Sequence, residues 1–199
     1  MSNLFNEVSQ HLNDDVIMQL SRQIGAQDPN QVKKAAGGIT EVLLDIIAKN
    51  ANNQQSGGGL FGAIERDHDG GILGNILGVL KGSANVNNQK TMNGVGIINH
   101  LLGNRVMETA QIVSKYSGLD LFKSGTLMQL IAPIIMGVVG GQRKSSGLDL
   151  GGLAKVLMGG AQQRRSNPGG GLLGKILDRD GDGSMMDDIL GMGVKALLR

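Results

Sequence analysis

Two acidic, glycine-containing turns hold the residue types in this chain that are best suited to chemistry. One of them spans residues 178–184 near the C-terminus and leads into two further aspartates. Carboxylates that alternate along a short loop before a glycine supply oxygen ligands to a hard cation such as calcium. The sequence therefore predicts a candidate calcium site built from Asp178, Asp180, Asp182, Ser184, Asp187 and Asp188.

The end of this loop departs from the regular calcium-binding pattern. If Asp178 takes the first position, Gly183 falls at the sixth, where the sharp turn needs a glycine, and Ile189 takes the twelfth. A bidentate glutamate is usual at that last position. A shortened loop closed by Asp187 or Asp188 would restore the missing ligand. The alternative is a tight turn before a helix, in which aspartates stabilise the turn and the positive end of the helix. The sequence is compatible with both interpretations.

The other acidic turn spans residues 65–71 and is a weaker candidate for a metal site. Its carboxylates, Glu65, Asp67 and Asp69, reproduce the alternation, but uncharged residues stand where the later aspartates of the C-terminal turn stand. Fewer anionic ligands mean weaker calcium binding. His68 lies between two of the carboxylates and has no second histidine or cysteine nearby, so we interpret it as an ordinary surface or core residue.

The composition excludes several classes of function. The net charge of +2 is too small to attract nucleic acid strongly, and the absence of cysteine excludes disulfides and thiolate metal sites. No nucleophile elbow, Walker loop or dinucleotide-binding fingerprint occurs in the sequence. We therefore predict a protein that is not an enzyme and has no nucleic-acid partner.

The elements that position these turns are predicted to be helices. Apolar residues recur at three-to-four spacing, and no segment alternates with period two over a convincing length. The fold class is therefore all-α, with about seven to ten short helices joined by Gly-rich loops. Gly25 and Gly118 are expected to end helices. Other glycines, among them Gly74, Gly137 and Gly140, are expected to permit close helix contacts, with the alternative that at least half of them are helix ends.

The chain is predicted to divide into a helical core, 1–160, and a C-terminal part, 161–199, that consists of a Gly-rich linker, the acidic turn and a helix. Polar linkers are expected within the core near residues 51–59 and 82–92. Pro133, inside the longest apolar run (127–139), should kink a helix or begin a new one. Because this run is shorter than the about 20 residues that span a bilayer and the N-terminus lacks a signal-peptide pattern, we expect a cytoplasmic protein without a transmembrane segment.

Several motifs together resemble the YidB-like bacterial proteins that carry a helical domain of unknown function. The resemblance covers nearly the whole chain and includes the segments 13–17, 67–73, 98–103, 130–137 and 178–191. It implies an all-helical bacterial protein without a recognised catalytic site. It implies no particular activity, because the family has none established.

The leading hypothesis for function is a non-enzymatic structural or interaction protein that associates with itself, as a homo-oligomer or a larger assembly. Short helices rich in Ile, Leu and Gly leave apolar faces that one small globule does not fully bury. The alternative is a calcium-responsive binding module that uses the variant acidic loop at 178–188, with calcium as its cofactor.

Overall fold

A computed structural model describes residues 4–52, 54–83 and 89–165 of the chain. All regular elements in these residues are helical, which confirms the all-α class. The α-helices are α1 (Leu4–His11), α2 (Asp14–Ile24), α3 (Pro29–Asn52), α4 (Gln54–Asp67), α5 (Ile76–Leu80), α6 (Gly94–Leu102), α7 (Val106–Ser117), α8 (Leu121–Ser146) and α9 (Leu150–Arg165). Short 3-10 segments occupy Gly71–Asn75, Gln89–Met92 and Gly103–Arg105.

Helix α8 is the centre of the fold. All of residues 131–140 are buried, and helices α1, α2, α3, α4, α6 and α7 all pack against α8. A helix that is apolar nearly all round buries its whole circumference, as this one does over that stretch. By length and composition α8 is also long enough to cross a membrane, but 72% of its most apolar window is buried inside the fold.

Pro133 does not begin a new helix, so that part of the prediction is wrong. A single helix of 26 residues runs through it. Proline cannot donate to the carbonyl of the residue four positions earlier, which here is Gln129. That carbonyl faces α6 instead, and a Cβ added at Gly94 would overlap its oxygen. Pro133 therefore leaves the Gln129 carbonyl without a helical hydrogen-bond donor, and Gly94, the first residue of α6, lies against that carbonyl.

The linker predicted near 51–59 is wrong, because α3 runs to Asn52 and α4 begins at Gln54. Ala51 is buried at the end of α3, and Leu60 and Ile64 of α4 are among the most deeply buried side chains. Burial of these apolar residues outweighs the low helix propensity of the polar and glycine residues between them, since tertiary packing supplies most helical stability. For the same reason α3, with 24 residues, and α8 are longer than the short helices expected.

The predicted linker near 82–92 and the predicted end of the core at 160 agree only in part with the structure. Gly82 and Ser83 lie outside helices, whereas Gln89–Met92 forms a 3-10 segment and residues 84–88 lie outside the described part. Helix α9 continues to Arg165, five residues beyond the predicted end of the core at 160. Gly25 and Gly118 end α2 and α7 with positive φ values of 66° and 83°, which confirms both predictions.

Candidate functional site

The acidic turn at residues 65–71 packs directly against the backbone of α8. Its contact surface there is a glycine patch formed by Gly137, Gly140 and Gly141. A Cβ added at Gly140 would overlap the carbonyl oxygen of His68. Gly70 has a φ of +88°, and a Cβ added to it would lie 3.0 Å from the Cα of Gly141. The turn and the helix can approach this closely only because both surfaces lack side chains.

Two of the three carboxylates, Glu65 in the last turn of α4 and Asp69 after it, pair with basic residues at the end of α8. Glu65 accepts a hydrogen bond from Arg143 Nη2 at 3.2 Å, and Asp69 accepts one from Lys144 Nζ at 3.3 Å. Asp69 also accepts a hydrogen bond from the backbone N–H of Gly71, and this bond, followed by that from Lys144, lowers the pKa of Asp69. The two carboxylates thus interact with separate cations.

The structure does not gather the weaker metal candidate, Glu65, Asp67 and Asp69, into a common site. In the part of the chain that is described, no group of three His, Cys, Asp or Glu side chains is close enough to hold a metal ion. The stronger candidate, made of Asp178, Asp180, Asp182, Ser184, Asp187 and Asp188, lies outside the described residues. The calcium hypothesis therefore stays a prediction from sequence.

His68, in the middle of the turn, is buried, unlike a histidine in a solvated loop. It is only 3% exposed, and its Nδ1 atom is buried without a hydrogen-bond partner. Burial lowers its pKa, and the negative charge of Asp67 opposes that shift. The carbonyl of Asp67 accepts a hydrogen bond from Thr91 Oγ1 at 2.6 Å, which ties the turn to the segment before α6. A buried polar atom without a partner costs about 1–3 kcal/mol.

A cavity of about 250 Å³ lies beside His68, between α4, α6 and α8. We call it the His68 pocket. Its apolar lining comes from Leu60, Ala63, Ile97, Leu101 and Met136, and its polar lining from His68, Lys90, Asn93 and His100. Lys90, Asn93 and His100 are exposed, so these polar groups lie at the opening, whereas His68 is buried.

The sequence does not predict this pocket. From the sequence we interpreted His68 as an isolated residue, and Lys90, Asn93 and His100 had no predicted role. His68 follows α4, whereas Lys90 and Asn93 precede α6, more than twenty residues later in the chain. Only the packing of α4 and α6 on α8 brings these residues together. The one local signal was a histidine placed between two carboxylates directly before a Gly-Gly pair.

A second surface, at the start of α8, exposes apolar side chains. Phe122 is 83% exposed and Leu121 37% exposed. Gly125 follows one turn later, and no atom of the described residues outside the adjoining chain and helix backbone lies within 4 Å of a Cβ added there. We call Leu121, Phe122 and Gly125 the α8 tip.

These features define an all-helical protein organised around one buried helix, with an acidic turn packed on that helix. The chain belongs to a family described as bacterial protein of unknown function (DUF937), whose model matches residues 6–142. The match includes the acidic turn, all residues of the His68 pocket and the α8 tip. No curated protein and no solved structure matches the chain.

Proposed function

We propose that this protein is a non-enzymatic interaction protein that associates with itself through the α8 tip. The observation that supports this most is the 83% exposure of Phe122. Burying an aromatic ring of this size removes about 150–250 Å² from water, and exposed apolar side chains grouped together are typical of interaction surfaces. Leu121, next to Phe122, adds to the same apolar end of the helix.

A protruding ring beside open space supports a self-complementary fit at the α8 tip. Phe122, Gly125 and Thr126 are three and four residues apart, so they lie on one face of the helix. The bulky ring of Phe122 thus stands beside the open space at Gly125. When two copies meet across a two-fold axis, each surface must fit itself. Phe122 of each copy then fills the space above Gly125 of the other.

Replacing Phe122 tests this proposal directly. In sedimentation velocity with the full chain, the unchanged protein is expected to associate as its concentration rises, and Phe122→Gln is expected to remain monomeric. Met107→Gln is the matched control, because Met107 is 61% exposed on α7, outside the α8 tip. A wild-type monomer at high concentration, or equal loss of association in both variants, would contradict the proposal.

Filling the space at Gly125 separates association from folding. Gly125→Gln adds a side chain where the chain itself has no neighbouring atoms and replaces glycine by a better helix former. Thermal stability is therefore expected to rise slightly while association is lost. Loss of both together would indicate that Gly125 supports the fold rather than an interface.

The finer assignment and the location are also proposals. We propose that the chain is a YidB-like member of its family, on the basis of the motifs at 13–17, 67–73, 98–103, 130–137 and 178–191. We propose a cytoplasmic location, which the burial of most of α8 inside the fold supports. Cell fractionation tests it: recovery of the protein with the membranes after a high-salt wash would contradict it.

Calcium binding by the C-terminal turn rests on the sequence alone. If the loop at 178–188 holds calcium, millimolar calcium should raise the melting temperature of the full chain. Replacing Asp178, Asp180 and Asp182 together by asparagine should remove that increase. An unchanged melting temperature of the unmodified chain in calcium would exclude this alternative.

A further inference from the structure

The His68 pocket combines an apolar interior with nitrogen-containing side chains. Five of its lining residues are apolar, three are His or Lys, one is Asn and none carries a carboxylate. Small-molecule sites in proteins usually have this form, mostly apolar with a few polar groups that fix the orientation of the ligand.

The size of the pocket limits what can enter it. An apolar cavity of about 150 Å³ accommodates a benzene ring, and the His68 pocket measures about 250 Å³. There is room for one ring or a short alkyl chain together with a small polar group. The pocket is half-open, so a larger molecule would extend through the opening into solvent.

His68 provides an independent reason to expect a ligand. Its side chain is 97% shielded from solvent, since only 3% is exposed, and Nδ1 has no partner. Nearly all buried polar atoms in folded proteins are hydrogen-bonded, so one that is not calls for an explanation. Nδ1 has almost no accessible surface, so a polar group bound in the adjacent pocket reaches it when the imidazole ring turns over and exchanges the positions of Nδ1 and Cδ2.

We infer that the His68 pocket binds a small organic carboxylate whose apolar body is about the size of one ring. The apolar body lies against Leu101 and Met136. The carboxylate faces His68, which donates an N–H to it, and the side chains at the opening, Lys90 and His100, add positive charge or further N–H donors. This inference is independent of the proposed self-association, since Met136 is fourteen residues from Phe122 along α8, about 21 Å at 1.5 Å per residue.

One charge near the pocket opposes this preference. The carboxylate of Asp67 acts electrostatically on His68, and Lys90 has a further interaction within the protein. The anion preference therefore rests on the lining as a whole and not on Lys90 alone. Comparing ligands of one shape but different charge tests whether this sum favours an anion.

The experiment uses the full chain and three probes of the same size: benzoate, benzyl alcohol and benzylamine. Binding is followed by the shift of backbone amide resonances and of the melting temperature. Benzoate is expected to shift the resonances of His68, Ile97, Leu101 and Met136 in a saturable manner and to bind at least tenfold more tightly than the other probes. Saturation of benzyl alcohol or benzylamine at equal or lower concentration would overturn the inference, as would the absence of benzoate binding at 10 mM (roughly −3 kcal/mol).

Two variants locate the ligand. His68→Phe retains a ring but removes the N–H, so it should weaken benzoate binding about tenfold, as expected for loss of one charge-assisted hydrogen bond. It should leave the binding of benzyl alcohol almost unchanged. Ala63→Leu fills the cavity and should weaken both. If either variant does not fold, the imidazole resonances of the unmodified protein decide: bound benzoate should raise the pKa of His68, and an unchanged pKa would overturn the inference.

Discussion

Helix α8 carries glycines in two places whose surroundings are opposite. In the glycine patch, a Cβ added at Gly140 would overlap the carbonyl oxygen of His68, and one added at Gly137 would lie 3.3 Å from Leu73 Cδ2. In the α8 tip, a Cβ added at Gly125 would have no described neighbour within 4 Å beyond the local backbone. Residues 68–73 cover the first group, whereas Gly125 is only partly buried and has open space beside it.

This difference distinguishes two reasons for placing a small residue in a helix. Glycine destabilises a helix interior by about 1 kcal/mol relative to alanine, and a close contact at a glycine can offset this cost. At Gly140 that contact is the acidic turn. At Gly125 the described chain provides none, and the proposed second copy would provide it. Glycine in α8 therefore lies in a close internal contact at Gly140 and beside open space at Gly125, and Gly37 of α3 has the same open space.

Gly140→Ala is expected to have the largest effect. The new methyl group meets a backbone carbonyl, which cannot rotate away as a side chain can, so either the turn or α8 must move. We expect a loss of about 3 kcal/mol in the free energy of unfolding, at the upper end of the range for overpacked cores. Denaturant unfolding measures it.

Gly125→Ala is the matched control for that measurement. It is the same substitution on the same helix at a position with open space, so it should raise the free energy of unfolding by about 0.5–1 kcal/mol through helix propensity and unfolded-state entropy. Destabilisation of similar size in both variants would break the comparison, because it would mean that the turn does not determine the cost at Gly140.

Gly94→Ala is expected to be the next largest effect. Its new methyl group would overlap the carbonyl oxygen of Gln129, but α6 has only nine residues and can shift more easily than the turn. We expect a loss of about 2 kcal/mol. Gly96→Ala, two residues later on α6, is the comparison variant, since the nearest atoms to the added methyl belong to a side chain, that of Asn93. Asn93 caps α6 by accepting a hydrogen bond from the N–H of Gly96, so this variant is expected to lose about 1 kcal/mol through the cap. A larger loss at Gly96 would contradict the role given to the Gln129 carbonyl.

Parts of this arrangement can be predicted from the sequence and others cannot. The helix ends at Gly25 and Gly118 follow from local chemistry, because a left-handed backbone favours glycine wherever it occurs. The expectation of a close contact is confirmed for Gly140 and wrong for Gly74, which has no neighbour within 4 Å. Both glycines follow apolar residues in the sequence, and only the packing of the chain distinguishes them.

The candidate site was predictable to a smaller extent. The acidic turn is visible in the sequence because its residues are contiguous, but the partners of its carboxylates, Arg143 and Lys144, come from more than seventy residues later. The His68 pocket requires α4, α6 and α8 to be packed together before it exists. Hydrophobic periodicity indicates that a helix has a buried face, but not which other helix that face contacts.

The pH dependence of stability tests the burial of the His68 imidazole. Its pKa is lowered in the folded state, so the unfolded chain binds more protons below about pH 6.5. The free energy of unfolding should therefore fall as the pH decreases from about 6.5 towards the folded-state pKa, with a slope of at most about 1.4 kcal/mol per pH unit for this one group.

His68→Phe provides the reference curve for this measurement. The charged or titratable residues beside His68 or its pocket include Asp67, Asp69, Lys90 and His100, and they remain in the variant, so the difference between the two curves isolates the imidazole. The difference in the free energy of unfolding should be constant above about pH 6.5 and should decrease as the pH falls below that value. A difference that is flat across this range would mean that His68 titrates as a solvated histidine.

The ion pairs of the turn are expected to have the smallest effects, and they show what holds the turn in place. Lys144 and Asp69 are both more than 60% exposed, and exposed pairs contribute about 0–1 kcal/mol. Lys144→Ala should therefore change the free energy of unfolding by less than about 0.5 kcal/mol, and less still in high salt.

Arg143→Ala should cost more, about 1–2 kcal/mol, because the guanidinium of Arg143 also lies 5.0 Å from the ring centre of Phe61 and is largely covered. Denaturant unfolding at low and high salt measures both. If Lys144→Ala were as damaging as Gly140→Ala, charge rather than the fit of backbone on backbone would fix the turn to α8.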